Sequence, residues 1–118
     1  MKERLAIIDG IRSPMTKAGS ALKDVQADDL GAIVVRDVIN RCRIDPGDVE
    51  EVIIGNVAQP THAANISRII ALKAGLPNHV PAYTVHRNCA SGMEAITTAA
   101  NKINVGHGSV YMTGGVES

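Results

Sequence analysis

The chain has 118 residues, twelve basic side chains against twelve acidic ones, and no net charge at neutral pH. With 45% hydrophobic and 20% charged residues it has the composition of one globular domain, which excludes a disordered segment. No run reaches the ~18–20 apolar residues of a membrane-spanning helix, and the lack of a basic block argues against nucleic acid as a partner. There is no Trp or Phe and only Tyr83 and Tyr111 among aromatics, so the core must be built from Ile, Val, Leu, Ala and Met. Met1-Lys2-Glu3-Arg4 leads into a strand-like run without the apolar stretch of an export signal. Cys42 and Cys89 are therefore expected as free thiols in a reducing cytoplasm. Neither lies in a C-x-x-C pair, and none of the four histidines has ligand spacing to a cysteine, so no metal site is expected.

In chain order, Leu5-Ala6-Ile7-Ile8-Asp9-Gly10-Ile11-Arg12 is a short apolar run closed by Ser13-Pro14 and reads as a mostly buried strand. A polar loop follows, from Met15 to Gln26. Asp28 and Asp29 offer an N-cap and first-turn negative charge to a helix on which Leu30, Ile33, Val34, Val38 and Cys42 recur at helical spacing. Asp45-Pro46-Gly47 ends it as a turn. Val52-Ile53-Ile54-Gly55-Asn56-Val57 reads as a second buried strand. Asn65 is placed to cap a second helix through Ile66, Ile69, Ile70 and Leu72, stopped by Gly75 and Pro77. Ala82-Tyr83-Thr84-Val85 is a third strand, a third helix runs from about Ala90 to Val105, and Ser109-Val110-Tyr111-Met112-Thr113 is a fourth strand before Gly114-Gly115.

The βαβαβαβ order implies an α/β fold with a mainly parallel sheet and helices on both faces. From Ala90 to Val105 the only charges are Glu94 and Lys102, and small residues dominate. Such a helix is normally covered on more than one side. A four-strand sheet with three helices has nothing left for that purpose, so the chain is expected to be part of a longer protein or to meet a partner.

The sharpest chemical feature is His86-Arg87-Asn88-Cys89-Ala90-Ser91-Gly92-Met93, which joins a strand to the start of this low-charge helix. A cysteine there sits among unpaired helix N–H groups at the positive end of the helix dipole, which favours thiolate, the form that attacks carbonyl carbon. The small flanking residues admit an acyl group, and the same free N–H groups suit a tetrahedral oxyanion. A buried structural cysteine is the plain alternative for Cys89.

The segment Thr84 to Ile96, with its Cys-x-Ser-Gly-x-x-Ala core, resembles the active-site segment of thiolases. Three further stretches agree in order and spacing. Ile8 to Pro14 is similar to the family's first strand and R-[ST]-P turn. Ile54 to Gln59, with Asn65 to Arg68 and Ala74 to Pro77, is similar to its second strand and helix, and Gly114-Gly115-Val116-Glu117-Ser118 to its G-G-x-E-S. The resemblance covers the whole chain. It implies acyl transfer between coenzyme A thioesters by a ping-pong route, with acyl-CoA or acetyl-CoA as substrate and no covalently bound cofactor. Cys89 would be the nucleophile that takes the acyl group, and its backbone N–H one oxyanion donor. The family's Asn-Glu-x-Phe segment, its Gly-His-Pro histidine and its Cys-x-Gly-Gly-Gly acid/base cysteine have no counterpart in these residues. Residues 1–118 thus resemble an incomplete N-terminal half-domain, without the loop domain and C-terminal half, from a protein that forms homo-oligomers. The alternatives are a ketoacyl-synthase-like condensing enzyme and a non-catalytic assembly module.

Other residues have plainer readings. His86, three before Cys89, invites a Cys–His dyad that spacing alone does not support. His62, His79 and His107 read as surface loop residues, and Cys42 as a core residue of its helix. Arg12 and Arg68 could meet phosphate but read first as solvated or salt-bridged. Asn56, Val57 and Gln59 read as a strand end. Gly114-Gly115 lacks the dinucleotide-binding pattern and instead suits a close approach near Cys89.

Overall fold

A computed structural model describes residues 4–118; Met1-Lys2-Glu3, and with them the start of the expected leaderless N-terminus, lie outside the described residues. Three helices, α1 (Ala27–Cys42), α2 (Ile66–Lys73) and α3 (Ser91–Asn104), alternate with three strands, β1 (Glu51–Gly55), β2 (Ala82–Val85) and β3 (Tyr111–Gly115). All pairings are parallel, in the order β2-β1-β3, with Val52 opposite Ala82 and Met112, and Gly55 opposite Val85 and Gly115. Among the described residues, no helix is long and apolar enough to cross a membrane.

The strand period of two divides the core. Val52 and Ile54 point into a cluster with Ala32, Val35 and Ile39 of α1, Ile66 and Ile70 of α2, and Met112 of β3. Ile53 points the other way, to Ala95 and Ala99 of α3 with Tyr83, Val85 and Tyr111 at the margin. Helices thus cover both faces, as the alternation predicts. Gly31 lets α1 reach α2, since a Cβ there would lie 2.4 Å from Ile70 Cδ1.

The expected first strand is corrected. Leu5 to Arg12 joins no ladder, and Ile7 and Ile8 are 82% and 80% exposed. A cleft of about 1500 Å3 separates this segment from α1, α3 and the outer edge of β3. The run has strand composition, but a strand exists only where another backbone lies within hydrogen-bonding distance, and here none does. Its described tether to the body is an ion pair, Asp9 Oδ2 to Arg41 Nε at 3.2 Å.

Two expected caps are also corrected. Gln26, not Asp28, is the N-cap of α1, and Asn65 occupies the N-cap position of α2 without capping it through its side chain. The Asn65 amide instead donates to the Ala82 carbonyl at 3.1 Å, while its oxygen accepts from the Thr84 hydroxyl at 2.8 Å. Asp28 is buried in the first turn of α1, where its carboxylate accepts from Lys73 Nζ at 2.6 Å and lies 3.1 Å from His62 Nε2. His62, expected as a bare loop residue, sits in a short 3-10 turn and takes part in this tie. The Lys73 hydrogen bond outweighs burial and holds the Asp28 carboxyl at about 2.

A carboxyl held low in the folded state contributes stability that is present above the ordinary carboxylate range and lost as the pH falls through the folded value. Urea unfolding of the parent chain should therefore lose stability between pH ~4 and pH ~2. Asp28→Asn should give a flatter profile over that window. At neutral pH, Lys73→Met should lower the urea midpoint, because it removes the main partner of the buried Asp28 carboxylate.

Candidate active site

The end of β2 and the start of α3 are joined by the five residues His86 to Ala90, which form a sharp elbow. Asn88 has a positive φ of 50°, uncommon outside glycine and tolerated best by Asn and Asp. The Ala90 N–H donates to the Arg87 carbonyl at 3.0 Å and the Ser91 N–H to the Asn88 carbonyl at 3.1 Å. The Ser91 hydroxyl accepts from the Arg87 N–H at 2.8 Å and donates to the Asn88 carbonyl at 2.6 Å. Cys89 stands at the tip, exposed, as a free thiol two residues before the first helical residue. Among the described residues, no hydrogen bond uses the N–H of Cys89 or of Gly92. Exposed sulfur and free donors thus share one helix N-terminus.

Cys89 lines a cavity of about 710 Å3 together with Asn88 of the elbow, Ser91 and Gly92 at the start of α3, Gly55 and Val57 at the end of β1, and Gly115, Val116 and Glu117 at the end of β3. Helix α3 reaches this position because three glycines meet beneath it. A Cβ at Gly55 would lie 2.4 Å from the Ser91 carbonyl carbon, and one at Gly115 would lie 3.2 Å from Gly92 Cα. The close approach expected of Gly114-Gly115 is thus made by Gly115; a Cβ at Gly114 would meet nothing within 4 Å.

The rim of the cavity is tied by residues that sequence reasoning missed. Asn56, read as a strand end, is buried; its amide donates to the Val116 carbonyl at 2.8 Å and its oxygen accepts from the Gln59 N–H at 2.7 Å. The Glu117 carboxylate accepts from the Val57 N–H. These bonds lock the loops after β1 and β3 together. A polar residue that ends a strand and one that ties two loops look alike in one dimension, so the pattern held no signal for Asn56. Glu117 was visible only within the G-G-x-E-S string.

His86 makes no hydrogen bond to Cys89; its Nδ1 accepts from the Asn88 N–H at 3.1 Å. Arg87 pairs with Glu94 in the first turn of α3, at 2.6 Å, and holds that carboxyl below its usual range. The other candidates lie elsewhere. Arg68 donates to the carbonyls of Val80 and Asn78 and braces the turn before β2; Arg12 bonds the neighbouring Ser13 carbonyl. His79 lies 3.2 Å from the Gly47 carbonyl, and the His107 carbonyl accepts from the Tyr111 hydroxyl. Cys42 ends α1 half-buried against the larger cleft.

Two predictions follow from the packing and the exposure of this elbow. Gly55→Ala should destabilise the chain by about 2 kcal/mol or more in urea unfolding, since backbone cannot retreat as a side chain can. Gly114→Ala, one strand position from Gly115 but facing open space, should stay within about 0.5 kcal/mol. In mass-mapped alkylation of the folded chain by limiting iodoacetamide, Cys89 should be labelled at least about tenfold faster than half-buried Cys42; preferential labelling of Cys42 would contradict this placement.

Comparison with known proteins agrees with the resemblance read from the motifs. The family model described as "Thiolase, N-terminal domain" matches residues 5–118. A protein of Staphylococcus epidermidis named "Probable acetyl-CoA acyltransferase" is 38% identical over 115 residues, and one of the same name from Staphylococcus aureus is 40% identical over 115 residues. In each case the match covers 98% of this chain and 29% of the relative, so the chain spans less than a third of their length. The crystal structure of the Bacillus anthracis acetyl-CoA acetyltransferase is similar, with a TM-score of 0.82 and 43% identity over 85% of this chain and 25% of that one. The elbow, its glycine seat and these likenesses together place the chain in the thiolase family, at the family's N-terminal domain.

Proposed function

We propose that this chain is the nucleophile-bearing part of a thiolase that moves acyl groups between coenzyme A thioesters, with Cys89 as the acyl carrier. The observation that carries the reading is the exposed Cys89 thiol at the N-terminus of α3, inside a cavity and beside backbone N–H groups that no other residue uses. In thiolysis, Cys89 Sγ bonds to the 3-keto carbon of a 3-ketoacyl-CoA while the bond between its second and third carbons breaks. The carbanion left on acetyl-CoA takes up a proton. Free coenzyme A then attacks the acyl-enzyme, forms the shortened acyl-CoA and returns the electron pair to sulfur. Claisen condensation is the same sequence reversed. The N–H of Cys89 serves as an oxyanion donor at each tetrahedral stage.

The base that deprotonates Cys89 comes from outside these residues. His86 has its Nδ1 engaged by the backbone, and no other base is hydrogen-bonded to the thiol among the described residues. In family terms the Gly-His-Pro histidine and the second cysteine fill these roles from a longer chain. A homo-oligomer working in the cytoplasm completes the reading.

The test is incubation of the 118-residue chain with acetyl-CoA, followed by peptide mass mapping. Slow, stoichiometric acetylation of Cys89 is expected, absent in Cys89→Ala and weaker by about tenfold or more at Cys42. Turnover of acetoacetyl-CoA is expected to be undetectable. Acetylation confined to Cys42 or lysines would overturn the role of Cys89. Robust turnover lost in Cys89→Ala would instead move the base into this chain and revive His86.

A further inference from the structure

Ser91 is buried at the first position of α3, its backbone pressed on Gly55, and its hydroxyl lies within hydrogen-bond reach of both sides of the elbow. An N–H can only donate, so the hydroxyl accepts from Arg87 and its own proton goes to the Asn88 carbonyl. One side chain therefore satisfies a donor and an acceptor from the two peptide groups that flank the Arg87–Asn88 segment. Between them Asn88 holds a left-handed conformation that is unfavourable for a non-glycine residue. Without the hydroxyl, the Arg87 N–H loses its acceptor, and relaxing Asn88 to negative φ becomes the cheaper arrangement. Such relaxation rotates the next peptide group, which carries the Cys89 N–H.

The geometry points to Ser91 as the positioning residue of this site: its hydroxyl clamps the elbow so that the Cys89 N–H stays free and fixed relative to Cys89 Sγ. The functional meaning of the clamp rests on the reading of Cys89 as acyl carrier. In the half-reaction with acetyl-CoA, a bond forms from Sγ to the carbonyl carbon and the carbon–sulfur bond to coenzyme A breaks. The thiol proton ends on the coenzyme A sulfur. That step needs an oxyanion donor at a set distance from Sγ, whereas alkylation by iodoacetamide displaces iodide and develops no oxyanion. The ratio of the two rates at Cys89 therefore reports the N–H placement, and simple loosening or unfolding does not lower it selectively.

The experiment compares the parent chain, Ser91→Ala, Thr97→Ala and Asn88→Gly/Ser91→Ala. Acetylation of Cys89 by acetyl-CoA and alkylation by iodoacetamide are measured, with amide exchange of Arg87 and Ile53 followed by NMR. In Ser91→Ala, acetylation is expected to fall about tenfold while alkylation changes less than about threefold, and Arg87 exchange to quicken with Ile53 unchanged. Thr97→Ala, which removes another α3 hydroxyl bonded to a carbonyl three residues back, should match the parent. Adding Asn88→Gly, which takes positive φ without strain, should restore most of the lost ratio. Equal falls in both rates, an unchanged Arg87 amide in Ser91→Ala, or no recovery in the double variant would overturn the clamp. Absence of acetylation in the parent would instead count against the acyl-carrier reading, and Arg87 exchange alone then decides the clamp.

Discussion

The contact of α3 with the sheet at Gly55, Gly92 and Gly115 is the constraint on which the site depends. Helices ordinarily pack on sheets about one side chain away from the backbone, but at this end α3 comes down on bare main chain. Only then does its N-terminus lie level with the C-terminal ends of β1 and β3, and only then does the elbow project Cys89 over the cavity between them. Further along α3 the spacing is set by Ala95 and Ala99 against Ile53, again small residues against a flat strand. Gly55 and Gly115 are therefore positional: at each, one methyl group would press on α3 and carry the thiol away from the loops that wall its cavity.

Around that seat, polar groups act as ties between elements that sequence separates. Asn56 and Glu117 join the loops after β1 and β3. Ser67 of α2 accepts from the Ile54 N–H and bonds the Thr84 hydroxyl, joining α2 to β1 and β2. Asp28 joins the start of α1 to the end of α2 through Lys73. For Asn56, Ser67 and Asp28, which are buried, a polar atom out of water requires a partner, and only one relative placement of the elements supplies it. Apolar contacts alone tolerate sliding; these ties do not. Ser91 belongs to the same set, on a shorter scale.

Much of the molecule was legible residue by residue. Ala82 to Val85 is a strand over the residues expected of it, and the expected helices match α1, α2 and α3 to within a few residues, because hydrophobic period and glycine or proline stops act locally. The apolar runs of β1 and β3 were legible for the same reason. Cys89 could be singled out because a strand-to-helix junction with small neighbours is itself a local pattern. Leu5 to Arg12 was the instructive failure. Its composition is that of a strand, yet whether it becomes one depends on a neighbour that composition does not mention.

What the sequence by itself determined, then, was the alternation of elements and the strand-to-helix junction on which Cys89 stands. These are consequences of side-chain period and backbone preference within a dozen residues. The face of α1 was not among them, since Ala32, Val35 and Ile39 are buried where Leu30, Ile33, Val34, Val38 and Cys42 were expected, and Ile33 is exposed. What only the tertiary structure decided was which polar groups meet across the chain: Asp28 with Lys73, Asn56 with Val116, Glu117 with Val57, and the free N–H groups with the Cys89 cavity. Hydrogen bonds and close backbone approach act over about 3 Å between residues tens of positions apart. No one-dimensional pattern encodes that distance until the sheet has brought the strand ends together.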